Sequence, residues 1–405
     1  MSLYLFYKNK NLKYFNVLQM LHRSMKFKIF ILLVITIFSS CKNESKLQQN
    51  ETGIIQKVAL KYAKGFSIIK NENYNIIEIT KPWPNAEKKY RYILINKENA
   101  AKTSILKDEY DGIIINPIDK IVVTSTTHIP ALDLLGVEQT LVGFPGTDYI
   151  SSQNMRMLID NGSIREIGKN EGLNTEVLLE LNPNLVVAFG IDGNNRSLET
   201  IKKSDIPVIF NGDWVESSPL AKAEWIKFFG VLYNKEKEAD SIFNKTEKDY
   251  LAAKKLAQNV ITKPTILSGA MHSDTWYLPN GTSTEAQLLK DANVNYLWKD
   301  TEGSGSLKLN FESVFVKAKK ADIWLSPSSY TSLESLKNGN ENHVLFEAFK
   351  NKNIYSFSNT TGATGGVLYY ELGMTRPDLV LKDLIKIAHP ELLGDYEPYF
   401  FEKLK

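Results

Sequence analysis

PLAKAEWIKFFGVLYNKEKEADSIFNKTEKDYLAAKKL, residues 219–256, places apolar side chains at helical spacing, and after Pro219 it holds a single helix breaker, Gly230. A run of this length exceeds an ordinary strand-to-strand crossover. The spacing predicts one stiff helix, bounded at 215–260, that joins two separate bodies of the chain.

Both flanks of this segment show the same rhythm. On the C-terminal side, residues 261–405, short β-rich runs at 265–268, 321–325 and 353–357 alternate with helical patterns over 283–291, 311–319, 345–349 and 378–388. On the N-terminal side, residues 115–214, strands are expected at 121–124, 141–144, 184–189 and 207–210, with helical stretches at 129–135, 174–181 and 198–203. Such alternation implies parallel strands with helical crossovers. Farther upstream, residues 61–114 hold alternating segments at 74–79 and 90–95 around the turn-rich Lys81-Pro-Trp-Pro-Asn85, which reads as an antiparallel meander. The fold class is therefore α/β: two Rossmann-like lobes with central, mostly parallel sheets, joined by one long α-helix, plus a small N-terminal β meander.

The N-terminus carries a different kind of signal. Met25 to Cys41 combines Lys26 and Lys28, an apolar run from Ile29 to Phe38, and small residues before the only cysteine of the chain. The run suits a secretory leader and is too short to span a bilayer. Phe38-Ser-Ser-Cys41 resembles the lipobox of bacterial lipoproteins, with Phe38 where Leu is usual. Residues 1–24 then read as an upstream extension, 25–40 as the leader, and 41–60 as a polar tether and lead-in, with Cys41 as the lipidated residue. Several acyl chains on one residue anchor stably where one chain does not. A buried free thiol is the competing role, disfavoured by the conjunction of basic, apolar and small residues.

The charge balance follows the same division. The first forty residues hold six Lys/Arg and no Asp or Glu, so the chain from Cys41 onward has 43 basic and 46 acidic residues. The apparent basicity belongs to the leader, and nucleic acid is not an expected partner. P-loop, G-x-G-x-x-G, G-x-S-x-G, H-E-x-x-H and C-x-x-C patterns are all missing from the sequence, which argues against an enzyme.

Gly168-(x5)-Asn174-Thr-Glu-Val-Leu-Leu-Glu-Leu-Asn-Pro-Asn-Leu-Val-Val is followed by Trp276-Tyr-Leu-Pro-Asn-Gly281, Ala321-Asp-Ile-Trp and Arg376-Pro-Asp-Leu-Val-Leu-Lys-Asp-Leu. In order and spacing these resemble the periplasmic binding proteins for iron–siderophores, haem and cobalamin, whose lobes are joined by one rigid helix. Asn184 stands where that pattern usually has Asp. The resemblance covers roughly residues 115–395. It implies a substrate-binding lipoprotein of an ABC importer that holds its cargo between the lobes and delivers it to a permease and ATPase complex. A surface-exposed scavenging lipoprotein for haem or a corrinoid is the alternative. The implied cargo is a bulky metal chelate, with no resident cofactor, and a monomer is expected. The protein would be exported and lipid-anchored, at the periplasmic face or the cell surface.

In doubly wound lobes, ligands sit beyond the carboxyl ends of strands. That rule nominates Ser125, Thr126, Thr127 and His128 in the first lobe, although helix capping would use the same hydroxyls. Tyr149, Trp214, Trp276 and Tyr330 are nominated as aromatic walls, with core packing as the competing role, and Tyr369 closes the set. His128 and His272 occupy post-strand loops of opposite lobes; polar surface is the role the sequence favours for each. A bare metal ion would need three or four converging ligands, which two histidines do not supply. Family members dock through a carboxylate on each lobe; that pattern points to Glu285 in the second lobe and Asp192 or Glu199 in the first.

Overall fold

The computed structural model describes residues 56–100, 109–303 and 305–405. Cys41, the leader and most of the tether lie outside the described residues. Strands β1 (Gln56–Lys57), β2 (Phe66–Lys70), β3 (Asn75–Ile79), β4 (Tyr90–Asn96) and β5 (Gly112–Asn116) form the N-terminal sheet in that order. The first four are an antiparallel meander, and β5 adds in parallel to β4. This fifth strand is absent from the sequence reading.

The first lobe contains β6 (Ile121–Val123), α1 (Ile129–Leu134), β7 (Leu141–Phe144), α2 (Gln153–Asp160), β8 (Arg165–Glu166), the hairpin β9 (Gly168–Lys169) and β10 (Gly172–Leu173), α3 (Thr175–Leu181), β11 (Leu185–Phe189), α4 (Arg196–Lys202) and β12 (Val208–Asn211). Its sheet runs β12-β11-β6-β7-β8 with every pair parallel. The near-continuous apolar strands follow from burial on both faces. Val122, Val186, Ala188, Val208 and Phe210 belong to one core. Their neighbours Ile121, Val123, Leu185, Val187 and Ile209 join a second core, shared with Ile68, Ile77, Ile79 and Leu94 of the N-terminal sheet. The N-terminal sheet is therefore part of the first lobe's core.

The single rod expected over 219–256 is three helices: α5 (Pro219–Ala223), α6 (Ile226–Leu232) and α7 (Glu236–Ala257). Asn234 takes a left-handed φ of 57° between the last two, the conformation that commonly ends a helix. Its amide donates to Asn96 Oδ1 at 3.0 Å, fixing the turn against β4. The 22-residue α7 still bridges the lobes. Ala239 and Phe243 at its start lie in the core that the first lobe shares with the N-terminal sheet, and Tyr250, Ala253 and Ala257 at its end lie in the second lobe's core.

The second lobe contains β13 (Thr265–Ser268), β14 (Ala270–His272), β15 (Thr275–Pro279), α8 (Thr284–Asp291), β16 (Asn295–Tyr296), β17 (Ser306–Leu309), α9 (Phe311–Ala318), β18 (Ile323–Leu325), α10 (Leu333–Gly339), α11 (Glu347–Lys350), β19 (Ile354–Ser356), α12 (Leu368–Leu372), α13 (Pro377–Ala388) and β20 (Glu402–Lys403). Its main sheet runs β16-β13-β18-β19-β20, parallel except for β20. A small antiparallel sheet, β14-β15-β17, lies apart from it.

Candidate functional site

A cavity of about 1170 Å³ opens at the carboxyl ends of β13, β18 and β19, where Ser268, Gly269, Ser326 and Phe357 form part of its wall. The start of the linker adds Trp214 to Ser217 and Lys222, and helices α8 and α12 add Glu285, Tyr369 and Tyr370. A third contribution comes from the β3–β4 connection, with Lys81, Trp83 and Asn85 on the wall. The floor belongs mainly to the second lobe rather than being shared equally.

Three of the ten nominated ligand residues line this cavity: Trp214, His272 and Tyr369. Trp214 is half-buried against Phe189, with ring centroids 5.5 Å apart, and its indole N–H is buried without a partner among the described residues. Tyr369 stacks on Phe357 at 4.3 Å and 10°. Of the histidines in the described residues, His272 is the exposed one.

The other seven are placed elsewhere. Ser125 caps the turn Thr126–His128, and its hydroxyl pairs with that of Thr127 at 3.0 Å. The Thr127 hydroxyl donates to Asp213 at 2.9 Å. Ser125 is therefore the capping residue, while Thr126, half-buried like its neighbours, donates its hydroxyl to the Tyr370 carbonyl of the second lobe at 3.5 Å. His128 is fully buried against Phe229, and burial lowers its pKa from 6.5 to about 4, against the pull of Asp213. Trp276 is also core: it stacks on Trp324 at 5.5 Å and donates its indole N–H to the Ser268 carbonyl at 2.9 Å. The post-strand loop expected at His272 is instead part of the β14–β15 hairpin. Alternation along β15 turns Trp276 inward and gives the wall to its neighbour Tyr277. Tyr330 packs beside His343 against the second lobe's core, and Tyr149 is 67% exposed on the first lobe.

Tyr149 belongs instead to a direct contact between the lobes. Thr364 Oγ1 donates to the Asp148 carbonyl and Ser151 Oγ to the Gly366 carbonyl, both at 2.8 Å. Glu371, on α12, accepts the backbone N–H groups of Ser151 and Ser152 just ahead of α2. Burial raises its carboxyl from 4.5 to about 7, despite those donors. The segment beyond the end of β7 thus touches the second lobe directly, whereas Trp214, beyond the end of β12, lines the cavity.

The residues missed by sequence reasoning include Tyr277, Phe357 and Tyr370 of the second lobe and, farthest from any nominated position, those of the β3–β4 connection. Lys81-Pro-Trp-Pro-Asn was legible as a turn, but nothing local indicates which body it packs against. In the structure Trp83 lies edge-on to Phe210 at 5.1 Å and to Tyr90 at 5.8 Å. A Cβ on Gly212 would stand 2.0 Å from the Lys81 carbonyl oxygen, and one on Gly190 3.0 Å from the Trp83 ring. Bare backbone at both places lets the connection approach this closely.

Of the nominated docking carboxylates, Glu285 is exposed in the first turn of α8 at the cavity rim, while Asp192 and Glu199 are exposed on the first lobe. Asn195 caps α4 by accepting the Leu198 N–H at 3.1 Å. Among the described residues, no helix is long and apolar enough to cross a membrane.

A family model described as periplasmic binding protein matches residues 121–360. An uncharacterized lipoprotein of Methanocaldococcus jannaschii is 28% identical over 407 residues, covering 93% of this chain and 95% of its own. Among solved structures, a periplasmic heme binding protein from Pseudomonas aeruginosa superposes with a TM-score of 0.54 at 15% identity, covering 71% of this chain and 98% of its own. A possible iron-binding periplasmic solute-binding protein from Staphylococcus epidermidis gives a TM-score of 0.52 at 18% identity, covering 67% and 99%. At these identities the structural likeness is one of fold.

Proposed function

Because the chain belongs to the periplasmic binding protein family, we propose that it is the substrate-binding lipoprotein of an ABC importer, taking up a bulky metal chelate of the iron–siderophore, haem or cobalamin type. The cavity of about 1170 Å³ is the observation that carries this reading. It exceeds the range of roughly 300–1,000 Å³ usual for drug-sized ligands. Trp83, Trp214, Tyr277, Phe357 and Tyr369 supply flat apolar walls, the tryptophans and tyrosines with a polar group at one edge, suited to a large and partly apolar cargo. His272, exposed on the cavity wall, is the histidine that could face the cargo from the second lobe. Exposed carboxylates at Glu285 and at Asp192 or Glu199 would meet the permease. Lipid anchoring through Cys41 is consistent with the lipoprotein name of the Methanocaldococcus relative.

Native mass spectrometry of the protein purified from its own host under iron limitation tests the reading. A co-purifying chelate of several hundred daltons or more is expected. A small amino acid, sugar or peptide in its place would refute the choice of cargo.

A further inference from the structure

Residues 80–86 belong to the N-terminal sheet, outside the 121–360 segment matched by the family model, yet they line the cavity. The connection is fixed at its start and at its middle. Thr80 N–H donates to the Gly65 carbonyl at 2.8 Å, and the Lys81 carbonyl and Trp83 ring press on Gly212 and Gly190 of the first lobe. Gly65 N–H is in turn held at 2.7 Å by Glu216, a linker residue on the cavity wall. Such an element is a built part of the site rather than a loose rim.

Its charge is distinctive. Lys81 is exposed and Lys222 half-buried, both on the cavity wall and both without a carboxylate partner among the described residues. Glu216 is already engaged through Oε1 by the N–H groups of Lys64 and Gly65 and by the indole of Trp225 at 3.1 Å. Glu285 is the remaining carboxylate on the wall. A half-buried ammonium gains from an anionic neighbour that water no longer replaces.

We propose that residues 80–86 are a ligand-contacting strap, and that the cargo presents an acidic group to Lys81 and Lys222 beside its apolar body. This rests on the capture reading above. The test is isothermal titration of the full mature chain with haemin, a ferric tris-catecholate complex and net-neutral cyanocobalamin. The same titrations are run on Lys81→Glu, Lys222→Gln and the control Lys57→Glu, a lysine exposed on β1. Lys81→Glu changes an exposed side chain whose packing is through its backbone, so the apo variant should unfold as the parent does. The expected result is binding of an anionic chelate that Lys81→Glu and Lys222→Gln each weaken roughly three- to tenfold and Lys57→Glu leaves unchanged. Binding that ignores Lys81→Glu and Lys222→Gln, or that is confined to cyanocobalamin, overturns this inference and leaves capture standing. No binding of any probe by the parent chain overturns both.

Discussion

A carboxylate placed against the first free N–H groups of a helix normally favours its charged form. Glu371 meets that arrangement at Ser151 and Ser152, but it is 5% exposed, and burial outweighs the donors. Between its ordinary value of 4.5 and its folded value of about 7, the native protein keeps a proton that the unfolded chain has released. Its contribution is therefore complete below 4.5 and lost as pH rises through 7, on the order of 3 kcal/mol in all. The stability difference between the parent and Glu371→Gln, read by urea unfolding from pH 4.5 to 8, should fall with pH by that order; a constant difference would refute it. His128 acts in the opposite direction, its contribution being lost as pH drops from 6.5 towards about 4, so whole-protein profiles mix the two. Gly212→Ala drives a methyl group into the Lys81 carbonyl and should cost about 1–3 kcal/mol, with the strap displaced. A loss below about 0.5 kcal/mol in chemical denaturation would show that the strap yields freely.

At the scale of elements, the N-terminal sheet and the linker are joined through two buried carboxylates. Glu224, fully buried, accepts the N–H groups of Lys61, Tyr62 and Ala63 at 2.7 to 2.9 Å, and Glu216 accepts those of Lys64 and Gly65 at 2.8 and 2.7 Å. Glu224 also meets the Lys227 ammonium at 3.1 Å. Glu224→Ala removes three acceptances at once and leaves Lys227 with Asp240 alone. A loss of about 3–5 kcal/mol is expected, measured as a shift of the urea midpoint; a shift equal to that of an exposed Glu→Ala control would contradict it. The elements themselves were largely legible. The strands beginning near 121, 141, 185, 208, 265, 323 and 354 fall where apolar β-rich runs predict them. The linker break was not, because periodicity averages over one left-handed residue; Tyr233-Asn234-Lys235 held a C-cap signal that the helical pattern masked. The Trp276/Tyr277 register was missed for a related reason. His272-Ser-Asp-Thr275 is a turn, with Ser273 at a φ of 52°, and a hairpin places adjacent aromatics on opposite faces. Asn184 departs from the family pattern without consequence for the fold, since its side-chain Oδ1 accepts the Lys120 N–H at 2.7 Å.

For the molecule as a whole, α7 shares its two ends between two cores, and the Ser151–Glu371 contact ties the lobes at a second place. Two such ties resist wide opening, so the backbone of each lobe should shift by about 1 Å or less between free and loaded forms. Paired crystal structures showing rotation by tens of degrees would contradict this. Saturation with cargo should also alter the tryptophan emission through Trp214 and Trp83, and Trp214→Phe should remove much of the change; an emission unaltered on saturation would take both residues off the wall. The buried carboxylates that hold residues 61–65 have a further consequence for anyone preparing a minimal fragment. A gene trimmed to begin at the family-matched segment would remove the N–H donors of Glu216 and Glu224 and bare the apolar face that Ile121, Val123, Leu185, Val187 and Ile209 bury against the N-terminal sheet. With that face exposed to water, against a total stability of about 5–15 kcal/mol, the shortened product should be recovered only as aggregate.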